Sequence, residues 1–224
     1  MMARMLVTGF DSFGGQSINP SAALATAVDG INVNGTEVCG RRLPVSFRDF
    51  GERLDAAIAE VDPVAVICIG VFPGEPVIRL ERLAVNITDF GIPDNDGARE
   101  HGMVMANGPD AIRATWPVGA IQQGLLAAGI PARMSDTAGS FLCNATLYRA
   151  LATFSHRAAP PPVGFLHVPY LPEQVSAIIG ATAAEGRLEL YQRGDLASMA
   201  FETQLAALRL AIAVTLDGVD GRTP

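Results

Sequence analysis

The chain has 224 residues, with 16 basic against 23 acidic side chains and a formal charge of −7. Hydrophobic residues make up 49% and charged ones 17%, against roughly 25% charged in an average globular chain, which excludes intrinsic disorder. A pI near 4.9 argues against nucleic acid or an anionic membrane surface as a partner, because both call for a basic face.

This length predicts a single domain over residues 1–224. Met1-Met2-Ala3-Arg4 leads into only three apolar residues before Thr8-Gly9, too few for a signal peptide, and no later run approaches the ~20 apolar residues of a membrane span. Three cysteines without a CxxC pair suit a reducing, cytoplasmic setting and predict neither a disulfide framework nor a zinc site.

In chain order, Met5-Leu6-Val7 reads as a buried strand ending in Gly9-Phe10-Asp11-Ser12-Phe13-Gly14-Gly15. Asn19 then serves as N-cap of a helix with Pro20 at its first position. A strand is predicted from Glu37 to Val45, and helical spacing of Phe50, Leu54, Ile58 and Val61 marks a helix from Phe47 to Val61. The β-branched run Val64–Ile69 reads as a central parallel strand buried on both faces. Val77 to Ile87 is a further extended stretch. Ile92 to Pro117 is a long polar excursion, and Asp94-Asn95-Asp96-Gly97 within it is a turn, since the distal Glu of a calcium loop is missing. A helix from Val118 to Ala128, a short strand reaching Asp136, a helix from about Phe141 to Phe154, a strand from Val163 to Val168 and a helix from about Leu196 to Leu216 complete the pattern. Alternating strands and amphipathic segments predict an α/β fold: a three-layer α/β/α sandwich around a twisted, mostly parallel sheet.

Position sorts the chemistry-bearing residues. Cys68 lies within an apolar strand and Cys39 on a strand before Arg41-Arg42, so both read as packed thiols. Cys143 follows Thr137-Ala138-Gly139-Ser140 at a predicted first helical turn, where free amides and the dipole favour a thiolate; such sites lower cysteine pKa values toward ~3.5–7.5. The same amides suit an oxyanion. Its alternative reading is a small core residue. His101 and His156 read as solvated, whereas His167 stands at the end of a buried strand, where ligands of open α/β sheets gather. A buried core histidine is its alternative, but a thiol nucleophile requires a proton acceptor and His167 is the well-placed one. Glu81, flanked by arginines, reads on its own as half of a strand-surface salt bridge. The first loop matches neither GxGxxG nor a P-loop, and Phe10 and Phe13 suggest an apolar ligand wall.

Five blocks together resemble the pyrrolidone carboxyl peptidases, or type I pyroglutamyl peptidases: Thr8–Gly15 with Asn19-Pro20-Ser21, Glu81–Asn86, Ile92–Asn95, Thr137–Asn144 and Gly164–Tyr170. The resemblance runs collinearly over nearly the whole chain. It implies a Glu-Cys-His triad at Glu81, Cys143 and His167, and a pocket at Phe10, Phe13, Asn19, Val71, Ile92, Phe141 and Leu142. It also implies a cytoplasmic homotetramer without metal or cofactor, which removes N-terminal pyroglutamate (5-oxoproline) from peptides. Two positions depart from the family's pattern. Gly70-Val71-Phe72-Pro73-Gly74 replaces a Gly-Gln-Ala-Gly-Gly-like stretch, and Gly91 stands where the family generally has an arginine credited with aiding the oxyanion. Arg79 is the nearby candidate to supply the missing donor. These departures keep two alternatives open: a related cysteine amidohydrolase with another substrate, and a catalytically weakened binding homologue.

Overall fold

A computed structural model describes residues 2–186 and 196–220. Among the described residues, seven strands form one sheet in the order β10-β5-β11-β4-β1-β3-β2. Its centre is parallel: β1 (Ala3–Phe10) lies between β3 (Thr36–Leu43) and β4 (Ala65–Val71), and β11 (Val163–Val168) follows beside β4. The short β2 (Asn32–Val33) turns back on β3 at one edge. At the other, β5 (Ile78–Glu81) runs antiparallel to β11, and β10 (Ala132–Ser135) runs parallel to β5.

Alternation along the strands divides the core in two. Met5, Val7, Ile67 and Leu166 face α1 (Pro20–Val28), α3 (Val118–Ala127) and α6 (Phe201–Asp220). Leu6, Val66, Cys68 and Phe165 face α2 (Phe47–Val61) and α4 (Leu142–Phe154). This is the expected α/β/α sandwich. The expected bounds of α2 and β11 match the structure, and α1 starts as the cap predicted: Asn19 Oδ1 accepts from Ser21 N at 3.0 Å, with Pro20 first in the helix.

Three regions differ from the sequence expectation. The stretch Val77–Ile87 is two strands, because the chain leaves the main sheet at Arg82; β6 (Leu83–Val85) pairs instead with β9 (Ala111–Arg113) in a separate ribbon. Helix α5 (Pro172–Ala184) was not expected; of its residues only Gln174, Val175 and Thr182 are buried, so its sequence carries little apolar periodicity. The last helix begins at Phe201 rather than Leu196, because Ser198 bridges to Tyr170 and Met199 N donates to Tyr170 O at 2.9 Å.

The excursion after β6 is tied at its base. Asn86 exchanges two hydrogen bonds of 2.9 Å with the backbone of Met105, and β7 (Thr88–Asp89) pairs with β8 (His101–Gly102). Within it, Asp94 Oδ1 accepts from Asp96 N and Ala98 N, which is the expected turn, while Oδ2 accepts from Phe47 N at the start of α2. Among the described residues no helix is long and apolar enough to cross a membrane.

Candidate active site

A cavity of about 290 Å³ opens at the carboxyl ends of β1, β4 and β11. That is where an open α/β sheet gathers ligands, because neighbouring connections leave to opposite faces there. Phe10 and Val71, at the ends of their strands, line it together with His167. Phe13, Phe141, Leu142 and Ile92 add apolar wall, and Ile92 stands exposed at the mouth. The rings of Phe13 and Phe141 lie 6.2 Å apart. Asn19 also borders the cavity, but its amide is committed to the fold: Nδ2 donates to Asp11 O, and Oδ1 accepts from both Ser21 N and Ser21 Oγ. Its contribution is therefore the shape of the wall and not a free hydrogen bond. Every residue that the resemblance places in the pocket borders this one cavity.

Cys143 occupies the first turn of α4, whose N-cap, Phe141, has no side-chain hydrogen bond to the helix amides. The sulfur lies over Gly70: a Cβ built there would stand 2.7 Å from Cys143 Sγ and 2.9 Å from Phe165 Cζ. Gly70 is in turn the register partner of His167 across β4 and β11. Thiol and imidazole thus border the same cavity from a helix start and an adjacent strand.

His167 Nδ1 lies 2.8 Å from Glu81 Oε1, and both side chains are buried. The sequence expectation of a surface salt bridge for Glu81 is corrected here, since β5 is inserted between β10 and β11 and the carboxylate is wholly covered. Trp116 Nε1 donates to Glu81 O at 3.1 Å. The indole lies so close to β11 that any Cβ at Gly164 would overlap it. Arg79 Nε lies 3.3 Å from Glu81 Oε1. The Arg79 guanidinium also reaches Glu75, Ser135 Oγ and Thr137 O. It does not border the cavity, so it does not supply the donor missing at Gly91. Beside Gly91 there is open space, and Arg99 Nη1 donates to the Gly91 carbonyl.

Electrostatics reverse one expectation. Burial, followed by the negative charge of Glu81, pushes the Cys143 thiol up to about 12, which favours the protonated thiol, while the residue keeps some contact with solvent where it borders the cavity. Cys68 is likewise pushed up to about 12 by burial, as a packed core thiol should be, and burial raises Cys39. Burial lowers His167 below its ordinary 6.5, against the opposing pull of its hydrogen bond to Glu81, and leaves a neutral imidazole at pH 7. With Nδ1–H donated to Glu81, Nε2 carries the lone pair. Outside the site, His101 is exposed as expected but faces Asp89 Oδ1 at 2.8 Å, and His156 is exposed.

Sequence reasoning did not find the supporting residues Trp116, Phe72 and Asn144. Asn144 is wholly buried; its side chain accepts from Val85 N and donates to Val85 O and Ile87 O, which moors the start of α4 to β6. A buried asparagine directly after Cys143 was the available signal.

A thiol at a helix start, a neutral imidazole and a buried carboxylate around one apolar cleft of an α/β/α sandwich define a cysteine-type peptidase. Residues 3–217 match the pyroglutamyl peptidase family. A pyrrolidone-carboxylate peptidase of Pyrococcus furiosus is 39% identical over 96% of this chain and 98% of its own, and one of Yersinia pestis (strain Pestoides F) is 37% identical over 96% and 94%. The solved pyrrolidone carboxyl peptidase of Thermococcus litoralis superposes with a TM-score of 0.90 at 36% identity, covering 99% of this chain and 97% of that one. An E192Q mutant of the Pyrococcus furiosus enzyme gives 0.87 at 38% identity, covering 96% and 99%. The chain belongs to the pyroglutamyl peptidase family.

Proposed function

We propose that this protein removes N-terminal pyroglutamate from peptides, with Cys143 as nucleophile, His167 as general base and acid, and Glu81 as the carboxylate that orients the imidazole. The observation that carries this reading is the buried Glu81–His167 pair beside a thiol in an apolar cavity. A pyroglutamyl ring bears no ammonium group. It suits walls of Phe13, Phe141 and Val71, where a charged amino terminus would lose hydration without a buried carboxylate in return.

In the proposed reaction, His167 Nε2 takes the Cys143 proton as the sulfur attacks the pyroglutamyl carbonyl. The tetrahedral oxyanion turns to the uncapped amides at the start of α4. His167 then returns the proton to the departing amine, and water, activated by the same imidazole, hydrolyses the thioester. The resting thiol means that proton transfer accompanies attack and does not precede it. The proposed setting is one domain over 1–224, cytoplasmic, a homotetramer by family resemblance, without metal, cofactor, nucleic acid or membrane partner.

Release of a fluorogenic amine from a pyroglutamyl amide tests this: wild type is expected to release it and Cys143→Ala is not. Equal rates from both proteins would remove the assignment. A second reading, a cysteine amidohydrolase for a different capped amine, is favoured by Val71 and by the open space beside Gly91. A panel of N-blocked peptides and small amides separates the two, because the first reading requires preference for the pyroglutamyl group.

A further inference from the structure

Arg79 is only 6% exposed, and its charge meets two carboxylates. Nη1 lies 3.3 Å from Glu75 Oε2, and Nε lies 3.3 Å from Glu81 Oε1. Nη2 donates to Ser135 Oγ at 2.6 Å and to Thr137 O at 2.9 Å. The guanidinium carbon sits 4.1 Å from the centre of the Phe72 ring, which borders the cavity and meets the His167 ring edge-on at 5.4 Å. Glu75, itself buried, is held from its other side by Arg133 Nη2 at 2.8 Å. A buried guanidinium is tolerated only where ion pairs and hydrogen bonds together replace its hydration, as they do here.

We propose that Arg79 is a positioning residue of the reaction: it holds Glu81 against His167, seats Phe72 over the imidazole, and through Ser135 and Thr137 ties that pair to the loop leading into Cys143. This rests on the acyl-transfer reading above. The three triad members come from β5, β11 and α4, and Arg79 is the side chain that touches the supports of all three. Glu75 and Arg133 keep the guanidinium in place from behind.

The charged groups acting on His167 are Glu81 and Arg79 on β5 and Glu75 in the segment before it, and Cys143 on α4 and Asp89 on β7 border the same cavity. Removing the Arg79 charge takes away the cation beside Glu81 and leaves Glu75 to Arg133 alone, so a protonated His167 is favoured. Removing the Glu75 charge does the reverse.

The test uses the full chain as Arg79→Met, Arg79→Lys and Glu75→Gln, each also combined with Cys143→Ala for imidazole NMR. Arg79→Met is expected to move the His167 titration and the acid limb of kcat/KM to higher pH, and to lower kcat on the order of 10²-fold with little change in KM. Arg79→Lys is expected to keep the titration near that of wild type and to recover part of kcat. Glu75→Gln, which does not require the arginine to be removed if Arg79→Met fails to fold, is expected to move the titration to lower pH. Unmoved titrations in all folded variants, with kcat following thermal stability alone, would overturn the proposal. If wild type fails to cleave pyroglutamyl amides while the titrations move as stated, the substrate reading falls and the positioning role stands.

Discussion

Glu81 and His167 lie diagonally across the antiparallel β5–β11 pair: Glu81 is opposite Phe165, and its Oε1 reaches His167 Nδ1 at 2.8 Å. Diagonal neighbours on one face of a sheet are within reach of long side chains, so backbone register sets this distance. The His167–Gly70 pairing on the other side of β11 brings the third group to the same face, because Cys143 Sγ rests over Gly70.

Resting protonation gives a pH signature. His167 has to be neutral to accept a proton, and burial lowers it below 6.5, so the acid limb of kcat/KM is expected below that value. With Cys143 pushed up to about 12, alkylation by iodoacetamide is expected to accelerate steadily from pH 6 to 10. A rate plateau from about pH 5 upward would instead reveal a preformed thiolate–imidazolium pair.

The same shifts set stability. A lowered His167 contributes stability that is present above its ordinary 6.5 and lost as pH falls through the folded value. Raised Cys68 and Cys143 contribute stability that is present below the ordinary 9.0 of a thiol and lost as pH rises toward about 12. Thermal melts across pH 4–11 are expected to peak between these limits, and Cys68→Ala is expected to flatten the alkaline decline.

Gly70→Ala puts a methyl group 2.7 Å from Cys143 Sγ and 2.9 Å from Phe165 Cζ. Overpacking of this kind costs about 1–3 kcal/mol, and displacing a nucleophile by an ångström costs on the order of 10² in rate. The expected result is a modest fall in Tm and a far larger fall in kcat, read by parallel melts and pyroglutamyl-amide kinetics.

Gly91 has no strained φ, and nothing stands within 4 Å of a Cβ built there. Gly91→Arg is therefore expected to fold normally. Gaining one oxyanion donor is expected to raise kcat about 10- to 10²-fold, somewhat less than the usual loss on removing one. Unchanged kcat would mean that the amides at the start of α4 already suffice.

Asn144→Ala leaves Val85 N and the carbonyls of Val85 and Ile87 without their partner. A fully buried group left unpaired costs about 1–3 kcal/mol and these part-buried ones less, so a Tm loss of several degrees is expected. Because these bonds hold the first turn of α4, kcat is expected to fall as well, measured at a temperature where the variant remains folded.

Most of the fold was legible in local pattern. Strong apolar periodicity fixed α2, and an uninterrupted apolar run fixed β11. Helix α5 escaped because it buries little, and the split at Arg82 escaped because a period-two pattern cannot reveal a change of partner strand. Within the site, Cys143 and His167 stood out by position, at a helix start and a strand end. Glu81 came mainly from family resemblance: its burial depends on β5 entering the sheet between two strands remote in sequence. The raised Cys143 thiol escaped for a related reason, since a helix start is local and enclosure by β4, β11 and the Phe13 loop is not.

The antiparallel insertion of β5 also separates two kinds of support. Proton handling is mounted on the rigid backbone ladder of the main sheet, while the cavity mouth around Ile92 belongs to an excursion moored by Asn86 and Asn144. Evolution can therefore rewrite the rim around Ile92, between these moorings, and alter the diet of the enzyme without retuning its acid–base engine.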